Sequence, residues 1–385
     1  ISRQFDAINP FNIARIEVVS GASAMYGGGS TGGIINIVTK KGRDADGVSE
    51  TWLGAKSGFN SGEDLEYQVA QAISTSTDKM DARLAVSFNK SAGMYDSNGD
   101  MVLQDVTQTS SQYVSQLDIM ANAGFNLSDT KRLELMAQYY DSEQDSDYGV
   151  DYGDNLRGFL NPNQEFGMKK GYSLDDQAET TRGLIAMSYS DSDFYNQTMN
   201  LQLFYRNESM RFNPFPDLPS YGFLISKAPS MAAIGDSYVS FSASEQKTQV
   251  VGAKLVFTAD PTDKLNLVYG ADFDFESFEA TQTLYDFKIA RESNGLDLNK
   301  IGETGRYPDV DNTSFAGFLQ LIFLYRFVKK FYKIRFNFKF QFTKEVKTFF
   351  KKLLPSIFSS GVTQINILVG TKIASFQASA VSYLY

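Results

Sequence analysis

The sequence predicts an all-β chain of about ten antiparallel strands between Ser49 and Gln320, preceded by a short strand–turn–strand unit. Segments of about ten residues alternate apolar and polar side chains, the period of a strand with two unlike faces. Tight turns rich in Asp, Ser and Pro alternate with long polar stretches, the rhythm of a barrel with short turns at one end and long loops at the other. No apolar run of about 18 or more residues occurs, which excludes a helical membrane span.

Taken in order, Ile13 to Val19 sets Ile16 and Val18 on one face and Arg15 and Glu17 on the other. Ile34 to Thr39 is a second β-rich run. Between them Gly27, Gly28, Gly29, Gly32 and Gly33 permit positive φ and close backbone approach. Gly27, Gly29 and Gly32 fit the spacing G-x-G-x-x-G, but a strand follows where the dinucleotide fingerprint needs a helix. The phosphate-cradling P-loop fails as well, because Gly33 stands where it requires Lys. Neither nucleotide nor nucleic acid is an expected partner.

A polar hinge, Gly42 to Gly47, leads into the long strands. In Lys264 to Glu276, Leu265, Leu267, Tyr269, Ala271, Phe273 and Phe275 share a face opposite Lys264, Asn266, Asp272, Asp274 and Glu276. Thr198 to Arg206 repeats this, with Met199, Leu201, Leu203 and Tyr205 opposite Thr198, Asn200, Gln202 and Arg206. Arg83–Asn89, Arg132–Tyr140 and Thr248–Phe257 follow less cleanly. Tight turns fall at 126–130, 191–196 and 260–263, and long polar stretches at 92–113, 146–180, 212–243 and 284–312. Alternation alone leaves a β-sandwich or a solenoid open beside a membrane barrel.

The first segment decides among these. Arg15-Ile16-Glu17-Val18, Tyr26-Gly27 and Gly32-Gly33-Ile34-Ile35-Asn36 closely resemble the C-terminal part of the plug domain of TonB-dependent outer-membrane receptors. The resemblance implies a plug inside a 22-stranded transmembrane antiparallel β-barrel in the bacterial outer membrane. It further implies nutrient import driven by the TonB–ExbB–ExbD complex. In that family the residues matching Arg15 and Glu17 make polar contacts to the barrel wall; the plain alternative is a surface ion pair on an exposed strand. The expected domains are 1–44, the end of the plug; 45–320, the N-terminal half of the barrel; and 321–385, an atypical tail. The chain opens on Ile inside a motif, as expected of a piece whose leader, early plug and TonB box lie elsewhere.

Lys56-Ser57-Gly58-Phe59-Asn60-Ser61, Gln116-Leu117-Asp118-Ile119-Met120, Arg206 to Phe212 with Pro214-Phe215-Pro216, and Thr304-Gly305-Arg306-Tyr307-Pro308 resemble the branch of the family that imports ferric hydroxamate-citrate siderophores of the aerobactin type. Such a ligand needs cationic donors and aromatic walls, for which Arg157, Arg182, Arg206, Arg211, Tyr205 and Phe215 are the candidates. Their ordinary alternatives are an Arg paired with a barrel carboxylate and a Tyr in the interfacial girdle. Another nutrient chelate, or a non-transporting surface barrel used as an adhesin or phage receptor, are the competing functions.

The chain has no Cys and no His, so disulfides, thiolate nucleophiles, zinc sites and histidine bases are unavailable, and an enzyme is not expected. No cofactor or protein-bound metal is expected, because iron would arrive already wrapped in its chelator. Eleven basic residues and one acidic residue follow Gln320, leaving 25 basic and 44 acidic before it, net −19. An anionic ligand then needs local cationic focusing, and divalent cations bridging acidic loops to lipopolysaccharide would offset the excess.

From Leu321 to Lys352 there is neither Gly nor Asp, and eleven of the 31 Phe lie beyond Gln320. Three readings stand for this tail. One is a product of a reading-frame shift in AT-rich DNA, which accounts for the simultaneous loss of composition, motif and rhythm. The second is a basic amphipathic surface segment, and the third is further strands, since Arg335 to Gln341 alternates.

Overall fold

The computed structural model describes residues 7–20, 33–44, 48–59, 63–104, 112–156, 167–217, 240–262 and 265–323. The tail from residue 324 and four of the five turn glycines, Gly27, Gly28, Gly29 and Gly32, lie outside them. A 3-10 turn, Pro10–Asn12, leads into the hairpin of β1 (Ile13–Ser20) and β2 (Gly33–Thr39). Its register matches Glu17 with Asn36 and Val18 with Ile35. A second 3-10 turn, Gly42–Asp44, carries the chain to the wall.

The wall is one antiparallel sheet. Side by side stand β3 (Ser49–Lys56), β4 (Glu66–Ser76), β5 (Met80–Lys90), β6 (Val114–Asn126) and β7 (Lys131–Gln144). Across the β8 (Tyr148–Asp151) and β9 (Gly167–Lys170) hairpin the chain returns as β10 (Glu179–Asp191) and β11 (Thr198–Arg211). After the short β12 (Phe215–Asp217) come β13 (Ser240–Thr262) and β14 (Leu265–Tyr285). Helix α1 (Phe287–Glu292) and β15 (Lys300–Gly305) precede β16 (Val310–Phe323). β15 and β16 share one edge of β14, and β12 extends beside β13, so the long strands form ten columns, as the alternation predicts.

Two boundaries differ from expectation. β13 and β14, at 23 and 21 residues, are about twice the length that a bilayer requires. β16 keeps its pairing past Gln320 to Phe323, opposite Leu265. The sheet does not close, since its edges are β3 on one side and β15 and β16 on the other.

Cross-strand register separates the faces. One face carries Asp118, Tyr140, Arg182 and Glu208 in a single row and meets the residues before β1. The other carries the apolar line of β14, with Phe257 stacked on Tyr269 at 5.2 Å and Phe194 at 6.0 Å from Phe257 near the short turns, an aromatic girdle. The long connections hold a core of their own, in which Val150, Tyr152, Leu156, Phe241, Tyr285, Ala290 and Leu298 are buried. Asp286 caps α1, its carboxylate accepting from the amides of Lys288 and Ile289.

Candidate functional site

Three alanines build a dent in the wall. Ala70 and Ala72 of β4 and Ala85 of β5 are buried and form one apolar cluster with Phe11, which sits over them as a knob. Lys40 and Arg83 lie over the Phe11 ring at 5.1 and 5.4 Å, a double cation–π arrangement. Glu50 holds both cations, at 2.6 Å from Lys40 Nζ and 2.9 Å from Arg83 Nη2, while Arg83 also donates to Ser74 Oγ.

Beside this seat, the buried carboxylate of Asp118 accepts from the Asn9 amide at 3.1 Å, Asn12 Nδ2 at 3.2 Å and Gln138 Nε2 at 2.9 Å. Gln138 Nε2 also donates to the Ala7 carbonyl. These donors compensate the cost of burying the carboxylate. Toward the short turns Lys41 and Arg43 reach Glu134 at 2.5 and 3.3 Å, and Arg132 bridges Glu134 and Asp81. A Cβ on Gly42 would stand 2.4 Å from the Ala82 carbonyl oxygen, so only glycine lets the chain pass there. A cavity of 260 Å³, lined in part by Lys41, Arg132, Glu134, Met136 and Phe204, lies along this seam.

Arg15 and Glu17 make none of these contacts. Arg15 Nε donates to Glu17 Oε1 at 2.7 Å and Asn36 Nδ2 donates to Glu17 Oε2 at 2.8 Å, all exposed. The Asn36 and Arg15 hydrogen bonds hold the Glu17 carboxyl below its usual range. Among the described residues the hairpin is tied to the wall by Phe11, Asn9, Asn12, Lys40, Lys41 and Arg43 instead. Gly33 opens β2 at φ 142.

Strand parity sorts the candidate ligand residues. Arg182 and Arg206 face the hairpin side. Arg182 forms a buried pair with Glu208, Nε and Nη2 lying 2.7 and 2.6 Å from one carboxylate oxygen, the ordinary alternative for such an arginine. Among the described residues Arg206 Nε is buried without a hydrogen-bond partner. Tyr205 and Arg211 sit on the opposite face, because odd and even residues of a strand point apart. Tyr205 is 40% exposed in the apolar belt. Arg211 is held by Glu179 at 2.7 Å and by the Gln177 carbonyl. Phe215 packs edge-on against Tyr152 in the loop core, with ring centroids 6.1 Å apart, and Arg157 lies outside the described residues.

Three connections, β3–β4, β5–β6 and β7–β10, meet above the wall in an aromatic joint that sequence reasoning missed. Tyr113 stacks on Tyr148 at 5.6 Å, Lys170 covers the Tyr148 ring, and Tyr95 and Tyr113 hydroxyls are 3.5 Å apart. The Tyr148 hydroxyl, bonded to Glu63 and partly buried, is pushed up to about 12. Tyr113 adopts φ 54, a left-handed conformation uncommon for a bulky residue and invisible in a periodicity. Among the described residues no group of three or more Asp or Glu could hold a metal ion. The arrangement offers a polar, cation-bearing inner wall beneath a packed roof.

The chain is similar to named proteins over this same wall. It is 41% identical over 324 residues to the rhizobactin receptor of Rhizobium meliloti (strain 1021), covering 83% of this chain and 41% of that protein. It is 41% identical over 319 residues to the ferric aerobactin receptor of Klebsiella pneumoniae, with the same shares. The chain thus spans about two fifths of the length of these relatives. Among solved structures, the copper transporter OprC matches with TM-score 0.51 at 14% identity, covering 83% of this chain and 41% of that one. The ferric citrate transporter FecA in its unliganded form matches with TM-score 0.50 at 15% identity, covering 81% and 40%. At such identities the likeness is one of fold. A family model described as lipid II flippase MurJ matches residues 312–385.

Proposed function

We infer that this chain is a stretch of a TonB-dependent outer-membrane receptor for a ferric siderophore, comprising the end of the plug and the first ten strands of the barrel. The observation that carries this is the seating of residues 7–12 and 40–43, which flank the β1–β2 hairpin, on the polar face of a sheet whose other face is apolar. A wall with a wet, occupied inner side and a greasy outer side is the arrangement of a plugged outer-membrane pore. The identity to the rhizobactin and aerobactin receptors supports a hydroxamate-citrate siderophore as the cargo.

In this reading the ferric siderophore enters between the long loops, and iron travels as part of the cargo. Arg206, with its buried Nε, and the Arg182–Glu208 pair supply fixed charge along the upper inner wall. The TonB–ExbB–ExbD complex would supply the energy. The Arg15–Glu17 pair would meet the portion of the wall that the ten strands leave open. The tail fits a reading-frame change near codon 320, where composition and strand rhythm depart together; the likeness of residues 312–385 to the flippase model competes with that.

The test begins with the encoding DNA, sequenced across codon 320 and translated downstream in all three frames. The receptor with its frame restored is then expressed in iron-starved cells lacking hydroxamate receptors. Growth on ferric aerobactin that disappears when TonB is deleted supports the proposal. A surface-exposed, heat-resistant barrel that never supports such growth would remove the siderophore assignment. An uninterrupted frame through Tyr385 would remove the frameshift.

A further inference from the structure

The outward face of β6, β7, β10 and β11 contains a trench. Register aligns Ala121, Ala137, Ile185 and Tyr205 in one row and Ile119, Tyr139, Gly183 and Asn207 in the next. Ala121, Ala137 and Gly183 are the small members, so the surface drops between the taller Ile119, Ile185 and the two tyrosines. The resulting cavity measures 320 Å³ and its lining is almost wholly apolar. That volume is at the lower end of sites that hold small molecules, ~300–1,000 Å³.

Depth and polarity fix what can lie there. One row further from the short turns the outward residues are Leu117, Asp141, Thr181 and Ser209, and beyond them come Ser115, Glu143, Glu179 and Arg211, so the outward face turns mostly polar there. The Tyr139 hydroxyl donates to Asp141 Oδ2 at 2.9 Å, so that ring lies in the apolar belt while its oxygen reaches the polar one. Tyrosines in this posture mark a membrane–water boundary. The trench therefore opens immediately beneath the headgroups on the side of the long loops. Asn207 leans across Gly183, where a Cβ would come 2.4 Å from Asn207 Oδ1, so its amide fills the space the glycine leaves and closes the upper end of the trench with a polar group.

We propose that this trench seats one acyl chain of an outer-leaflet lipopolysaccharide, fixing a single lipid at a defined place on the barrel. The occupant must be apolar, chain-like and anchored at the polar belt, which a lipid A acyl chain satisfies. Arg211 and Lys247, each beside carboxylates, stand on the outward lines of β11 and β13 at headgroup height. The inference rests on the reading that the sheet lies in the outer membrane with its long loops outside.

The test uses the 385-residue chain refolded in mild detergent micelles, with purified lipid A as the probe and native mass spectrometry as the readout. The parent chain is expected to retain one lipid A at detergent levels that strip the remainder. Ala121→Leu with Ala137→Leu fills the floor and should weaken retention about tenfold, the loss of roughly two buried methylenes. Ala253→Leu, on the same face of β13, should leave it unchanged. Ala137→Leu alone serves if the double variant loses its β-sheet circular dichroism. Equal retention by the filled and parent chains, no retained lipid, or retention of phospholipid in preference to lipid A would each overturn the proposal. Recovery of the chain from the periplasm in fractionated cells would instead strike at the membrane reading itself.

Discussion

Replacing Phe11 with alanine should release the hairpin from the wall while leaving the wall intact. The ring is 8% exposed and rests on three alanines that are each 1% exposed. Those alanines belong to hydrogen-bonded strands and cannot move in to fill the space, so the full cavity cost applies, roughly 3–5 kcal/mol for a buried Phe. Lys40 and Arg83 are tethered to Glu50 and would lose their aromatic partner, at ~0.5–1 kcal/mol each. The sum is roughly 4–7 kcal/mol, and its lower end alone corresponds to roughly a thousandfold shift in the local opening equilibrium. Native-state hydrogen exchange reads it directly, because the Lys40 amide donates to the Asn12 carbonyl at 2.9 Å. Its protection should fall by two to three orders of magnitude while the ladder of β10 and β11 is unchanged. Phe11→Leu should recover most of the loss. A change of less than about fivefold at Lys40, or an equal change throughout the sheet, would refute the knob as the anchor.

Removing one partner of the buried Arg182–Glu208 pair, as Arg182→Met, should cost roughly 3–5 kcal/mol, whereas Arg182→Met with Glu208→Leu should cost far less; thermal melts of the three chains measure this. Burial pushes the Tyr285 hydroxyl up to about 12. Between the ordinary value near 10 and that value the folded state holds a proton that the unfolded state has lost, so stability present below about pH 10 drains away as pH rises toward 12. Tyr285→Phe should flatten that decline in denaturant midpoints. The chain as it stands should run at the same position in detergent gels with and without boiling, because its ten columns fall short of the ~22 strands of plugged transporters and leave two edges unpaired. A boiling-dependent shift would show closure.

The wall was legible because a two-residue period needs only local chemistry. The parity that put Tyr205 with Leu201 and Leu203, opposite Arg206, is the parity of the folded strand. Applied to Arg211, the same parity separates it from Arg182. Asp118 could have been found likewise, as a carboxylate between Leu117 and Ile119 on the face that turns inward. What sequence could not supply was contact between residues far apart along the chain. Nothing near Phe11 announces Ala70 or Ala85, and nothing near Asn9 announces Asp118. The loop core was missed for a related reason. Val150, Tyr152, Phe241 and Leu298 are scattered through three polar stretches and share no period, so their convergence exists only after the strands have brought those stretches together.

The ladder between β13 and β14 runs without a break from Leu267 to Tyr285. At about 3.3 Å per residue and a tilt near 45°, such a pair rises roughly 40 Å, against a greasy band ~25 Å tall. In the proposed outer-membrane receptor the surplus would form a stiff mast standing in water, carrying the packed roof of Phe241, Tyr285 and Tyr152 clear of the lipid on bonded backbone rather than on loose chain and leaving a rigid mouth for a cargo to meet.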